Sequence, residues 1–158
     1  MELLADIITL DLLRSSIRLA TPILLAALAA VLSNRAGVFN LALEGQMLLG
    51  AFLAILSSFW IGNALEASLG ADPTAAQIAS ARVMGTYLGV VVGSLSGALL
   101  GALFTFLYLR YKVDLIILAI ALNLFISAMT IFFLRTFFNN VATWADPSIK
   151  QLPDIQLP

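Results

Sequence analysis

Residues 33–50 read SNRAGVFNLALEGQMLLG, Ser33 to Gly50. Here polar, charged and glycine residues sit together and run straight into a long apolar segment. Asn40 and Glu44 lie four apart, so on a helix they share one face. Gly37 and Gly45 bracket them, and no further charge appears from Met47 to Ile61. A carboxylate at the head of a membrane-spanning helix is costly in lipid, so it points to a cavity, a partner or a pathway. The fold class turns on whether the apolar runs around this stretch are spans.

Composition answers that. Of 158 residues, 61% are hydrophobic and 11% charged, with a mean hydropathy of +1.04. A soluble domain is about half apolar and about a quarter charged. The chain therefore reads as an all-α, polytopic membrane helix bundle. Its net charge of -1 offers no field for nucleic acid. With no Cys and no His, disulfides, thiol catalysis, His-based zinc sites and a Ser-His-Asp triad are excluded together. No metal site, cofactor or catalytic residue is expected.

Outward from the opening stretch, four spans are expected at about 12–32, 41–61, 83–109 and 115–134. Residues 1–16 are amphipathic and suit an interfacial helix or the first turn of span one. The stretch around Ala27-Leu28-Ala29 has a signal-peptide flavour, but Glu2, Asp6 and Asp11 precede it and further spans follow, so it reads as a membrane helix. Its apolar part, Leu19 to Leu32, would be only about 21 Å long against a hydrocarbon core of about 30 Å. Either the helix begins near Leu12 with Arg14 and Arg18 snorkelling, or it ends within the membrane near Ser33. Pro22 is expected near its start, where a missing N–H is tolerated.

Residues 62–82 read as a loop, with turn signals at Gly70 and Asp72-Pro73 and a short amphipathic helix over 74–82. In span three, Gly85, Gly89, Gly93, Gly97 and Gly101 recur every four residues. This ridge permits close helix approach and sweeps about 160° around a straight helix. One partner crossing right-handed or two at different depths would fit, for packing alone or for a groove beside a pathway. In span four, Asn123, Ser127 and Thr130 form a polar stripe, either interhelical glue or the wall of a polar cavity. The Pro-containing tail, 135–158, reads as an external loop. Arg35, Arg110 and Lys112 place their turns in the cytoplasm, although Arg14 and Arg18 argue the other way.

The run Arg35-Ala36-Gly37-Val38-Phe39-Asn40, then Leu41-Ala42-Leu43-Glu44-Gly45, then the apolar run through Gly50, resembles the N-terminal signature of ABC importer permeases. The class is that of branched-chain amino acids, simple sugars and nucleosides, and the nearest subgroup is that paired with basic-membrane-protein lipoproteins. Ala121-Leu122-Asn123-Leu124 is a weaker second match. The resemblance covers the whole chain but only the first half of such a permease. Residues 1–158 are thus expected to be one truncated transmembrane permease domain.

The resemblance implies a multi-pass subunit in a prokaryotic inner or plasma membrane. It would work with ABC ATPase subunits, a second permease subunit as homo- or heterodimer, a substrate-binding lipoprotein and membrane lipid. The cargo class would be a small polar solute, nucleoside or simple sugar. ATP hydrolysis would lie in a separate subunit, and this chain has no G-x-x-x-x-G-K-[ST] motif. An intramembrane enzyme lacks residues here. A secondary transporter or a structural membrane subunit remains the alternative, since carriers also use broken helices. On this reading Asn40, Glu44, Asn123 and Ser127 are pathway candidates. Gly37 and Gly45 would supply a helix break and a close approach. Glu44 could instead cap the helix or pair with Arg35, near the cytoplasmic face, which leaves Asn123 as the candidate for a midplane contact.

Overall fold

The computed structural model describes residues 10–70 and 72–138. Most of the amphipathic N-terminal segment and the Pro-containing tail beyond Phe138 lie outside the described residues. Four helices follow one another: α1 (Leu10–Arg35), α2 (Leu43–Ala67), α3 (Ala75–Tyr111) and α4 (Leu115–Phe138). All four are long and apolar enough to cross a membrane, and the chain is a multi-pass membrane protein.

The helices outrun the apolar stretches that announce them, because polar contacts extend them past the hydrophobic run. The expected loop over 62–82 shrinks to 68–74. α2 continues to Ala67, and Glu66 Oε2 accepts a 2.9 Å charged hydrogen bond from Arg82 Nε on α3. The expected short helix at 74–82 is the first part of α3 itself. Thr74 starts it with a capping box: the Thr74 hydroxyl accepts from the Gln77 amide, and Gln77 Oε1 accepts from the Thr74 amide at 2.9 Å. At 37 residues α3 is about 55 Å long, well beyond a hydrocarbon core of about 30 Å. It ends at Lys112, in the left-handed conformation with φ 52. Asp114 then opens α4, its Oδ1 accepting from the amides of Ile116 (2.9 Å) and Ile117 (3.0 Å).

In α1, Pro22 lies in the helix interior rather than near its start. The helix reaches back to Leu10, so Arg14 and Arg18 are part of it. Proline lacks the N–H that would bond the Arg18 carbonyl. The preceding Thr21 turns its hydroxyl inward onto the Ile17 carbonyl at 2.7 Å.

α2 and α3 form the tightest unit, an antiparallel hairpin. Among the described residues the ridge glycines of α3 meet one partner, α2. That partner carries its own row at intervals of four: Gln46, Gly50, Ala54, Ser58 and Gly62. A Cβ added at Gly85 would stand 2.7 Å from Gly62; one at Gly89, 2.5 Å from the Ala54 carbonyl oxygen; one at Gly93, 2.5 Å from the Gly50 carbonyl oxygen. Only glycine fits at these three positions. At Gly97 and Gly101 the nearest atoms, both of Gln46, are at 3.6 and 3.5 Å, which is ordinary contact. The backbones thus touch along one half of the hairpin and part where Gln46 begins.

α4 runs parallel to α2 and packs on it at both ends. At one end Ala42, Phe104, Leu118 and Ala119 form the buried core, with Val38, Leu107 and Val113 against it. At the other, Phe59 meets Phe138 and Trp60 meets Phe137 edge-on, at 6.1 and 6.4 Å between centroids. Outward faces remain apolar and exposed, Leu19 by 70% and Leu99 by 73%, as lipid-facing surfaces are.

Candidate functional site

Residues 36–42 join α1 to α2 at the end of the bundle that carries Arg35, Arg110 and Lys112. α1 closes with the amides of Gly37 and Val38 donating to the carbonyls of Asn34 and Ser33, both at 3.0 Å. Gly37 adopts φ 81, a conformation that side chains disfavour. The chain then turns into α2 through Phe39–Ala42.

The head of α2 is capped in an unusual way. Its N-cap position is Ala42, which has no side-chain acceptor, and no side-chain cap bond comes from that residue. The first four amides of a helix have no intrahelical partner and must be satisfied otherwise. Asn40 serves the first: its Oδ1 accepts from the Ala42 amide at 3.0 Å. The third helical amide, that of Gly45, is served from a different helix: Asn123 Oδ1 of α4 accepts it at 2.9 Å. The same carboxamide donates through Nδ2 to the Leu41 carbonyl at 3.3 Å. Asn123 therefore takes the place of a Ser or Asp N-cap, reaching across 78 residues of sequence.

Gly45 permits this. It is buried, and a Cβ there would lie 2.7 Å from Asn123 Oδ1 and 3.4 Å from Asn123 Cα. Asn40 uses its other half on the neighbouring turn, Nδ2 donating to Gln46 Oε1 at 3.2 Å. Asn40, Gly45, Gln46 and Asn123 thus form one polar knot around the first turn of α2.

The structure brings Asn40 and Asn123 together and leaves Glu44 and Ser127 apart from them. Glu44 is exposed in the first turn of α2, where a helix N-terminus favours negative charge. Among the described residues no ion pair joins it to Arg35, so the expectation of that pairing is corrected. Arg35 ends α1, and the intervening turn carries the two charges apart. Nor is Asn123 a free midplane group, since both ends of its carboxamide are committed to α2. The polar stripe divides: Asn123 serves α2, Ser127 is half-buried, and Thr130 is buried with its hydroxyl donating to the Ile126 carbonyl at 2.8 Å.

Gln46 was absent from the expected site residues. Its Oε1 is held by Asn40, but its Nε2 is buried and has no hydrogen-bond partner among the described residues. Gln46 also lines a groove of about 510 Å³ between α1, α2 and α3, whose walls mix small residues such as Ala26, Ala29, Gly93 and Gly97 with larger apolar ones such as Leu25 and Met47. Its position in the i+4 row with Gly50, Ala54, Ser58 and Gly62 was the signal that could have found it. Two further cavities between α2 and α4, of about 180 and 300 Å³, are lined almost wholly by apolar side chains and share Thr130. Among the described residues there is no cluster of His, Cys, Asp and Glu able to hold a metal ion.

A bundle of four apolar helices of spanning length defines a multi-pass membrane protein. The family model described as the permease component of the branched-chain amino acid transport system matches residues 12–151, and the chain belongs to that family. Two curated relatives share shorter stretches. The guanosine ABC transporter permease protein NupQ of Bacillus subtilis is 45% identical over 49 residues, 31% of this chain and 15% of the relative. The putative glucose ABC transporter permease protein TsgC13 of Haloferax volcanii is 43% identical over 56 residues, 32% of this chain and 17% of the relative. The aligned part of this chain thus covers less than a fifth of each relative's length. Because 49 residues make 31% of one and 15% of the other, NupQ is about twice as long as this chain. No solved structure matches it.

Proposed function

We propose that this chain is a membrane-spanning permease component of an ATP-driven importer for a small polar solute, a nucleoside or a simple sugar. Family membership over residues 12–151 carries the proposal, and the printed roles of the two relatives suggest the solute class. In this role ATP is hydrolysed by separate ABC ATPase subunits, a second permease subunit completes the channel, and a substrate-binding lipoprotein delivers the solute. The membrane is the plasma membrane of a prokaryote. The end bearing Arg35, Arg110 and Lys112 faces the cytoplasm, where short basic turns are retained.

The polar residues divide between two tasks. Asn40 and Asn123 hold the head of α2 and act on the solute only through its position. Glu44 and Ser127, whose side chains are not committed to that knot, are the candidates for facing the pathway. Deleting the gene in its own host and measuring uptake of labelled guanosine and glucose tests the proposal. Loss of one uptake, restored by the intact gene, supports it. Wild-type uptake of both solutes, together with unchanged growth on other nucleosides and sugars as sole carbon source, would refute it.

A further inference from the structure

Gln46 Nε2 is a buried amide donor that has no acceptor among the described residues. Such a group is costly and calls for an explanation. Its residue lines the groove between α1, α2 and α3. That groove runs along α2 at Gly50 and Ala54 and along α3 at Gly93 and Gly97. The α1 wall belongs to a helix whose apolar window has no buried residue at all.

We infer that this groove is the docking site for a transmembrane helix from the part of the permease that α1–α4 do not supply, and that Gln46 Nε2 donates to an oxygen acceptor on that helix. The inference rests on the permease reading above. Three observations favour a helix. Small residues on facing walls let another helix backbone approach closely, which is how helices associate in lipid. A helix satisfies its own backbone groups and brings the single acceptor that Gln46 lacks. The relative NupQ is about twice as long as this chain, so its bundle has further spans to place. A hydroxyl-rich solute fits the groove poorly. The other polar side chain lining it, Ser94, already donates to the Val90 carbonyl at 2.8 Å, so most polar groups of such a solute would go unmatched.

The chain has no native cysteine, which makes the test direct. Ala29→Cys, on the α1 wall, is labelled with a benzophenone maleimide in membranes of the native host, illuminated, and the adduct is identified by mass spectrometry. The expected adduct is with a peptide from an apolar spanning segment of permease sequence outside residues 10–138. Adducts only with lipid, with residues 10–138 of a second copy, with an ATPase or receptor peptide, or with nothing overturn the inference. Gln46→Met keeps the length of the side chain while removing the free N–H. In that background the adduct yield should fall about 5-fold, the weight of one strong membrane hydrogen bond. Unchanged yield removes Gln46 from the contact. The readout does not depend on transport: a helix adduct in a protein that moves neither guanosine nor glucose keeps the docking site and discards the solute assignment.

Discussion

Replacing Asn123 with Ala should destabilise the bundle far more than its place on a half-exposed helix face suggests. The substitution removes two bonds, from the Gly45 amide of α2 at 2.9 Å and to the carbonyl of Leu41, just before that helix, at 3.3 Å. Interhelical hydrogen bonds in membrane proteins average about 0.6 kcal/mol, with a maximum near 1.7. The larger part of the effect comes from what is left behind. Gly45 is buried, so its amide cannot return to water, and an unmet buried donor costs about 1–3 kcal/mol. Loss of a helix N-cap gives a similar figure, about 1 kcal/mol. The expected cost is therefore about 1–3 kcal/mol. Reversible SDS titration in mixed micelles, followed by far-UV circular dichroism, measures it. Leu124→Ala at the neighbouring lipid-facing position, 67% exposed, is the control. The double variant with Gly45→Ala sharpens the test. Gly45→Ala alone drives a Cβ to 2.7 Å from Asn123 Oδ1, a clash that disappears once Asn123 is Ala. The two changes should be sub-additive, with a coupling of about 0.5–3 kcal/mol. An Asn123→Ala cost no larger than the control, or strict additivity with Gly45→Ala, refutes the cross-helix cap.

Other expectations follow from the same contacts. Gly89→Ala and Gly93→Ala should each cost about 1–3 kcal/mol by overpacking against backbone, whereas Gly97→Ala and Gly101→Ala should be neutral or stabilise by up to about 1 kcal/mol through helix propensity; the same titration separates the pairs. Arg82→Ala breaks a partly exposed ion pair and should cost about 0.2–1 kcal/mol, an effect that shrinks in high salt. Glu44→Gln should change stability by less than about 0.5 kcal/mol, since the side chain is exposed. Its informative readout is uptake: normal assembly with undiminished transport excludes Glu44 from the pathway.

The number and order of helices were legible in the sequence because lipid imposes a simple rule, and apolar runs of spanning length stand out. Helix ends were less legible. Glu66, Gln77 and Arg82 are polar and lie outside the apolar runs, yet an ion pair and the capping box at Thr74 carry α2 and α3 through them. Pro22 looked like a start signal and lies inside α1, because proline removes one bond without stopping a long apolar helix. The glycine row of α3 was visible, but its mate on α2 mixes Gln, Gly, Ala and Ser and does not read as a ridge by composition. The site divided in the same way. Asn40, Glu44 and Gly45 were conspicuous as polar or small residues beside a span. That Asn123 closes the cap could not be read from any local pattern, since nothing in the sequence between Gly45 and Asn123 marks the pairing. Gln46 was hidden beside the more conspicuous Glu44.

The borrowed cap also sets an order of assembly. The α2–α3 hairpin has all its contacts once residue 111 has emerged, and its glycine interface needs nothing from later sequence. The first turn of α2, by contrast, waits for Asn123, made 78 residues after Gly45. At about 5–20 residues per second of synthesis, that interval is about 4–16 s. During it the Gly45 amide has no partner within its own hairpin. Insertion of α4 is therefore the event that completes α2, and a chain stalled before Asn123 would hold a finished hairpin with an unfinished head.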